Sequence, residues 1–280
     1  MDAGRNGSIR RSSFALASDL SAPIRFTVDP FTVLLLSIAA LLAGFIDAIA
    51  GGGGMLVMPA LLGIGMPPHL VVGTNKLIGT FGTFSASLTF IRKGLFKPEL
   101  WWAMSAGTFV GALIGAVLVY LMSAGALKKL LPLAILVAAA YLAWPRRSTP
   151  AAPGSEPVDA CSIQPSVKLL TGGVIGFYDG FIGPGTGAFW MAAAVKLFRL
   201  DLVAAAGVAR FMNFISNVTA LLTFMVLGNI DYPVGLIMGA MLMAGALVGA
   251  HSAIRYGAPF IRPVFLIVVL LMAGRLLVAG

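Results

Sequence analysis

The sequence predicts an all-α polytopic membrane protein made of two homologous helical repeats, on three observations. The first is composition. Of 280 residues, 59% are hydrophobic and 10% charged, with a mean hydropathy of +0.98, whereas soluble domains carry about 25% charged residues. The second is a series of apolar segments at 31–50, 70–90, 101–122, 126–144, 168–183, 203–227, 233–254 and 260–279. Runs of about 20 apolar residues are long enough to cross a bilayer as helices. The third is an internal duplication, in which each copy interrupts its apolar pattern with an aspartate and a glycine-rich break. About eight full spans are expected, with shorter apolar pieces at 55–66 and 187–198 forming half-helices or re-entrant segments.

Four regions follow. Residues 1–30 hold Arg5, Arg10, Arg11 and Arg25 among serines, with no apolar core before Phe31. They are expected to form a disordered cytoplasmic arm. Residues 31–144 are the first membrane repeat. Residues 145–166, rich in Pro, Ser and Ala, are a linker, and 167–280 are the second repeat. The lone Cys161 rules out an intramolecular disulfide framework.

The formal net charge of +9 does not mark a nucleic-acid binder. The cations are scattered through the arm and short loops, as beside membrane spans, rather than clustered with aromatics on one face. His69 and His251 have no partners at metal-ligand spacing, so no metal or cofactor is expected. No nucleophile–base pairing points to an enzyme. A phosphate-cradling P-loop is also missing.

The duplication is specific. "GFIDAIAGGG" at 44–53 lies on "GFYDGFIGPG" at 176–185 at an offset of 132, which pairs Asp47 with Asp179. Further along the offset is 134. "GTNKL" at 73–77 meets "GVARF" at 207–211, pairing Lys76 with Arg210, and Gly94 meets Gly228. "GALIGA" at 111–116 meets "GALVGA" at 245–250. The small-xxx-small spacing of these last strings suits close helix packing. Four glycines in a row do not need that explanation, because packing asks for a small residue only every fourth position. Paired interruptions in duplicated halves point to a transporter's binding site. A half-helix starting at each break would aim N–H groups and a positive dipole end inward, where anions bind readily. The donors so exposed are those of Gly52, Gly53 and Gly54 in the first half and Gly185, Thr186 and Gly187 in the second.

Charges inside the spans carry the rest. Among ten acidic residues, Asp47 and Asp179 are the two well inside apolar segments, each at about 2.5–3.5 kcal/mol on insertion scales. Lys76 and Arg210 are their cationic counterparts. On one reading these are structural bridges within each half, Asp47 with Lys76 and Asp179 with Arg210. On the other, the cations face a cavity and bind an anion, while the aspartates position them or carry a proton. Thr74 and Asn75 flank Lys76. Asn213 and Asn217 fall three and seven residues after Arg210, on one helix face, with Ser216 beside them.

Loop charges suggest opposite insertion of the halves. Arg92, Lys93 and Lys97 occupy a loop whose counterpart has Asp231, while "GMPPHL" lacks cations and its counterpart has Lys196 and Arg199. Positive loops favour the cytoplasm, so an inverted repeat is expected. Lys128, Lys129, Arg146 and Arg147 fit that parity less cleanly.

Taken together, "GFIDAIAGGGG", "GMPPHLVVGTNKLIGTFGTFSA" and "GFYDGFIGPGTGAF" resemble the TauE/SafE family of sulfite exporters, from about residue 31 to 280. The resemblance implies a duplicated helical bundle in a prokaryotic cytoplasmic membrane that transports small sulfur-containing anions, often outward. The first-half motif covers Asp47, Gly51 to Gly54, Thr74, Asn75 and Lys76. The second covers Asp179, Gly183, Pro184, Gly185, Thr186 and Gly187. "GVAR" departs from "GTNK", since only the cation is kept. The expected partners are a small anion and the lipid bilayer, and a homodimer is an allowed assembly. The rival classes are an anion channel, a metal or cation carrier using the buried aspartates, and a membrane-embedded enzyme.

Overall fold

A computed structural model of the chain describes residues 29–143, 163–257 and Phe260. Most of the arm and the linker, with Cys161, Arg146 and Arg147, lies outside these residues, as does the span expected at 260–279 apart from Phe260.

Helix α1 (Pro30–Ala50) starts at Asp29, whose carboxylate accepts the amides of Phe31 and Thr32 at 3.1 Å each. Pro30 at the first helical position needs no amide partner. The Thr32 hydroxyl, followed by these amides, holds the Asp29 carboxyl below its ordinary pKa. α1 stops at Gly51, which takes the left-handed conformation (φ 82°) and donates back to the Asp47 carbonyl. Then come the half-helix α2 (Gly53–Gly63), the long α3 (Pro68–Arg92), a 3-10 turn (Pro98–Trp101), α4 (Trp102–Leu121) and α5 (Ala124–Ala143). The second half repeats the order. α6 (Pro165–Phe181) precedes the half-helix α7 (Thr186–Lys196), the long α8 (Leu202–Leu227) and α9 (Tyr232–Tyr256). Asp201 and Asp231 cap α8 and α9 through their side chains, so these loop acids are helix starts. Gly94 and Gly228, matched in the repeat, close their helices with φ of 71° and 74°.

Four helical stretches are long and apolar enough to cross a membrane: Pro30–Ala50, Pro98–Leu121, Leu202–Leu227 and Tyr232–Tyr256. Of the eight spans expected, these four are found among the described residues. α3 is long enough but holds Thr74, Asn75, Lys76 and a run of serines and threonines; α5 carries Lys128 and Lys129, and α6 has 17 residues.

The halves interlock rather than sit side by side. α4 packs on α6 and α9 on α1, while α3 meets α9, α4 meets α8, and α3 lies against α8. Exchanging the two halves exchanges these contacts. The tight seams are built on glycine. A Cβ at Gly107, Gly111 or Gly115 of α4 would stand 2.1–2.3 Å from the carbonyl oxygens of Leu169, Gly173 and Phe177. At the equivalent seam, a Cβ at Gly245 or Gly249 of α9 would stand 2.0 and 2.5 Å from the carbonyl oxygens of Leu41 and Phe45. "GALIGA" and "GALVGA" are thus packing strings, where van der Waals contact between close backbones holds helices together in lipid. Lys168, unremarked in the sequence, donates to the Leu100 carbonyl (2.8 Å) and lies over the Trp101 ring at 5.2 Å.

Candidate functional site

The two glycine breaks touch. Gly51 and Gly183, equivalent in the repeat, both have positive φ (82° and 84°). The Ala188 amide at the start of α7 donates to the Gly51 carbonyl at 3.0 Å. A Cβ on Gly187 would come within 2.7 Å of the Gly51 Cα. Side chains are absent where the chains cross because the backbones leave no room for them.

Around this crossing Asp47, Lys76, Asp179 and Arg210 pair between halves. Lys76 Nζ lies 2.6 Å from Asp179 Oδ1, and Arg210 Nη1 lies 3.0 Å from Asp47 Oδ2. Each cation also donates to the main-chain carbonyl of the same aspartate. The bridges that one of the two readings placed within each half, Asp47 with Lys76 and Asp179 with Arg210, are therefore replaced by crosswise bridges. The reason is the interlocked packing: α3 carries Lys76 to the second break, and α8 carries Arg210 to the first. Both cations are fully buried (0% exposed), where a charge is tolerated only with a partner.

A small cavity of about 30 Å³ opens between the breaks, with room for about two water molecules. Its wall includes Asp47, Gly53, Gly54, Asn75, Asp179, Gly185, Thr186, Gly187, Asn213 and Asn217. Ten of the residues singled out from sequence thus converge. Lys76 and Arg210 are not in the wall; they stand behind the aspartates. Thr74 is elsewhere too, since its hydroxyl accepts the Asp231 amide at 2.9 Å and anchors the α8–α9 turn. Gly52 is the residue before α2 and does not line the cavity.

The carboxylates are held by further groups. Asp47 Oδ1 accepts the Gly53 amide at 2.9 Å, the first donor of half-helix α2. The amide drawn there is therefore engaged by the chain itself. Asp179 Oδ1 accepts the Thr186 hydroxyl at 3.2 Å, and Oδ2 accepts the Ser216 hydroxyl. Asn217 donates to Asn213 Oδ1 at 3.4 Å. The Tyr178 hydroxyl donates to the Pro184 carbonyl at 2.8 Å and holds the second break in shape.

Gly79 and Thr83 also line the cavity and were not anticipated. The repeat held the signal, because the offset of 134 places Asn213 on Gly79 and Asn217 on Thr83. With Asn75 they fall at i, i+4 and i+8 on α3, one face of a helix.

Comparison with known proteins agrees with this architecture. The family profile described as sulfite exporter TauE/SafE matches residues 36–276. A probable membrane transporter protein of Sinorhizobium is 41% identical over 244 residues, covering 86% of this chain and 91% of the relative. One from Escherichia coli (strain K12) is 36% identical over 253 residues, 90% of this chain and 92% of the relative. A third, from Haemophilus influenzae, is 38% identical over 234 residues, 84% and 90% respectively. No solved structure matches the chain. Through a profile match spanning both repeats, and relatives aligned over nearly their whole length, the chain belongs to the TauE/SafE sulfite exporter family of membrane transporters.

Proposed function

We propose that the protein is a secondary transporter that moves small sulfur-containing anions, such as sulfite or sulfonates, across the cytoplasmic membrane, as an exporter coupled to protons. The observation that carries this reading is the cavity at the crossing of the breaks. Its two carboxylates are already neutralised by cations from the opposite half. What the wall then offers a ligand is the amide side chains of Asn75, Asn213 and Asn217, since the hydroxyls of Thr83 and Thr186 already donate to main-chain carbonyls. Groups of that kind suit an oxyanion with several acceptor oxygens.

The halves are oppositely inserted repeats that rock about this site, as in other duplicated carriers. A proton on Asp47 or Asp179 cancels one carboxylate and releases its cation towards the anion, which links proton movement to loading. A cation carrier is the second reading, favoured by the two aspartates in the wall. Their engagement by Lys76 and Arg210 weighs against it.

The test is uptake of labelled sulfite into proteoliposomes, with and without a pH gradient, competed by sulfate, taurine, sulfoacetate and divalent cations. Gradient-dependent flux blocked by another sulfur anion is expected. Flux of a divalent cation with no response to anions would transfer the site to the aspartates. Asp47→Asn is expected to alter the pH dependence of sulfite flux; an unchanged profile at full rate would remove its proton role.

A further inference from the structure

The two ion pairs match in position but differ in what remains unused. Asp179 is satisfied by Lys76, Thr186 and Ser216. At the repeat offsets, the positions of Thr186 and Ser216 fall on Gly54 and Gly82 in the first half, so Asp47 has no hydroxyl partners of this kind. Its carboxylate is held by Arg210 Nη1 and the Gly53 amide. The Asp47 side chain is 11% exposed against 3% for Asp179.

The cations differ more. Lys76 is a point charge aimed at Asp179, whose Oδ1 and carbonyl it engages together. Arg210 uses Nη1 on Asp47, while its Nε and Nη2 are buried and have no hydrogen-bond partner among the described residues. Those two nitrogens form one edge of the guanidinium, a planar fork of two parallel N–H donors that matches two oxygens of an oxyanion. Leaving such donors buried and unpaired is costly, and a ligand removes that cost.

The edge also has a route to the cavity. Gly187 lies in the cavity wall, and a Cβ there would stand 2.6 Å from Nη2. The guanidinium is directly behind a wall residue without a side chain. At the opposite break, a Cβ on Gly183 would stand 2.8 Å from Lys76 Nζ and 2.6 Å from Asp179 Oδ1, but that nitrogen is already committed.

We infer that the Nε–Nη2 edge of Arg210, reached past Gly187, is the primary oxyanion-binding element, and that Lys76–Asp179 is a structural clamp. The inference rests on the anion reading above and makes the two halves functionally unequal. It also assigns a ligand class. The fork favours anions with two oxygens on one atom, as in sulfite, sulfonates and related groups, over spherical halides.

Arg210→Lys keeps a cation for Asp47 and removes the fork. Sulfite KM in proteoliposomes, and thermal stabilisation of the purified protein by sulfite and by chloride, are the readouts. For Arg210→Lys, a rise in sulfite KM of about tenfold or more is expected, with loss of the preference for sulfite over chloride. Lys76→Arg is expected to raise KM far less and to lower the melting temperature instead. A second measurement needs no substitution: the wild-type protein is expected to be stabilised by sulfite and by methanesulfonate well above chloride at equal ionic strength, which decides the matter if Arg210→Lys fails to fold. Equal KM increases for Lys76→Arg and Arg210→Lys would overturn the asymmetry while leaving the anion reading intact. An unchanged sulfite KM in Arg210→Lys, or equal stabilisation of the wild-type protein by sulfite and chloride, would overturn the assignment of the fork. A wild-type protein that neither moves nor is stabilised by any oxyanion would overturn both.

Discussion

At the α4–α6 seam, Gly107, Gly111 and Gly115 are helical and lie against carbonyls of the neighbouring helix. At the central breaks, Gly51 and Gly183 end helices in the left-handed conformation, and Gly51 also lies against the backbone of Gly187. Both regions are rich in glycine and deeply packed, yet the residue is used for different reasons. In the seams it removes bulk. In the breaks it removes bulk and also permits a backbone turn that L side chains rarely adopt. The comparison teaches that glycine-rich segments in one membrane protein respond unequally to the same methyl group, according to which of the two requirements each position carries.

Three substitutions sharpen that contrast. Gly51→Ala violates both requirements. The left-handed conformation costs a non-glycine residue about 1–2 kcal/mol, and the new Cβ would stand 2.2 Å from the Gly187 carbonyl carbon. Sulfite flux is expected to vanish and the protein to lose thermal stability; retained flux would show that the breaks can separate without harm. Gly111→Ala violates the packing requirement alone, with a Cβ 2.2 Å from the Gly173 oxygen. Overpacking of this kind costs about 1–3 kcal/mol. The melting temperature should fall while the surviving protein keeps its sulfite KM, and a changed KM would tie the seam to the cavity. Gly228→Ala violates conformation alone, since φ is 74° and nothing lies within 4 Å. A loss of about 1 kcal/mol, with transport unchanged, is expected in thermal denaturation.

Much of this fold was legible because lipid enforces a simple rule. Apolar runs become helices, and their lengths and order in the sequence match α1 to α9 closely. The breaks were legible because four successive glycines, and a Gly-Pro-Gly string, cannot continue an apolar helix without a reason. Crosswise pairing was not. A sequence shows that two aspartates and two cations occupy matched positions, but pairing within or between halves satisfies the same charges. The choice lies in how α3 and α8 cross, which is tertiary. The place of Thr74, outside the cavity, was hidden for a related reason. The residue adjoins Asn75 in sequence but projects about 100° away around the helix, towards Asp231 and not the cavity. Gly79 was missed because attention to polar side chains overlooks wall positions that contribute space.

The crosswise bridges give one chain the internal contact pattern of a symmetric dimer. When residue i of one unit meets residue j of another, and j of the first meets i of the second, the interface is isologous. Asp47–Arg210 and Asp179–Lys76 form that pattern between two repeats of a single chain. It is the contact set that two separate copies of one repeat would make on meeting as a symmetric pair. The symmetry is inexact where the hydroxyls of Thr186 and Ser216 stand opposite the glycines at 54 and 82, so the two bridges are matched in position and unequal in surroundings.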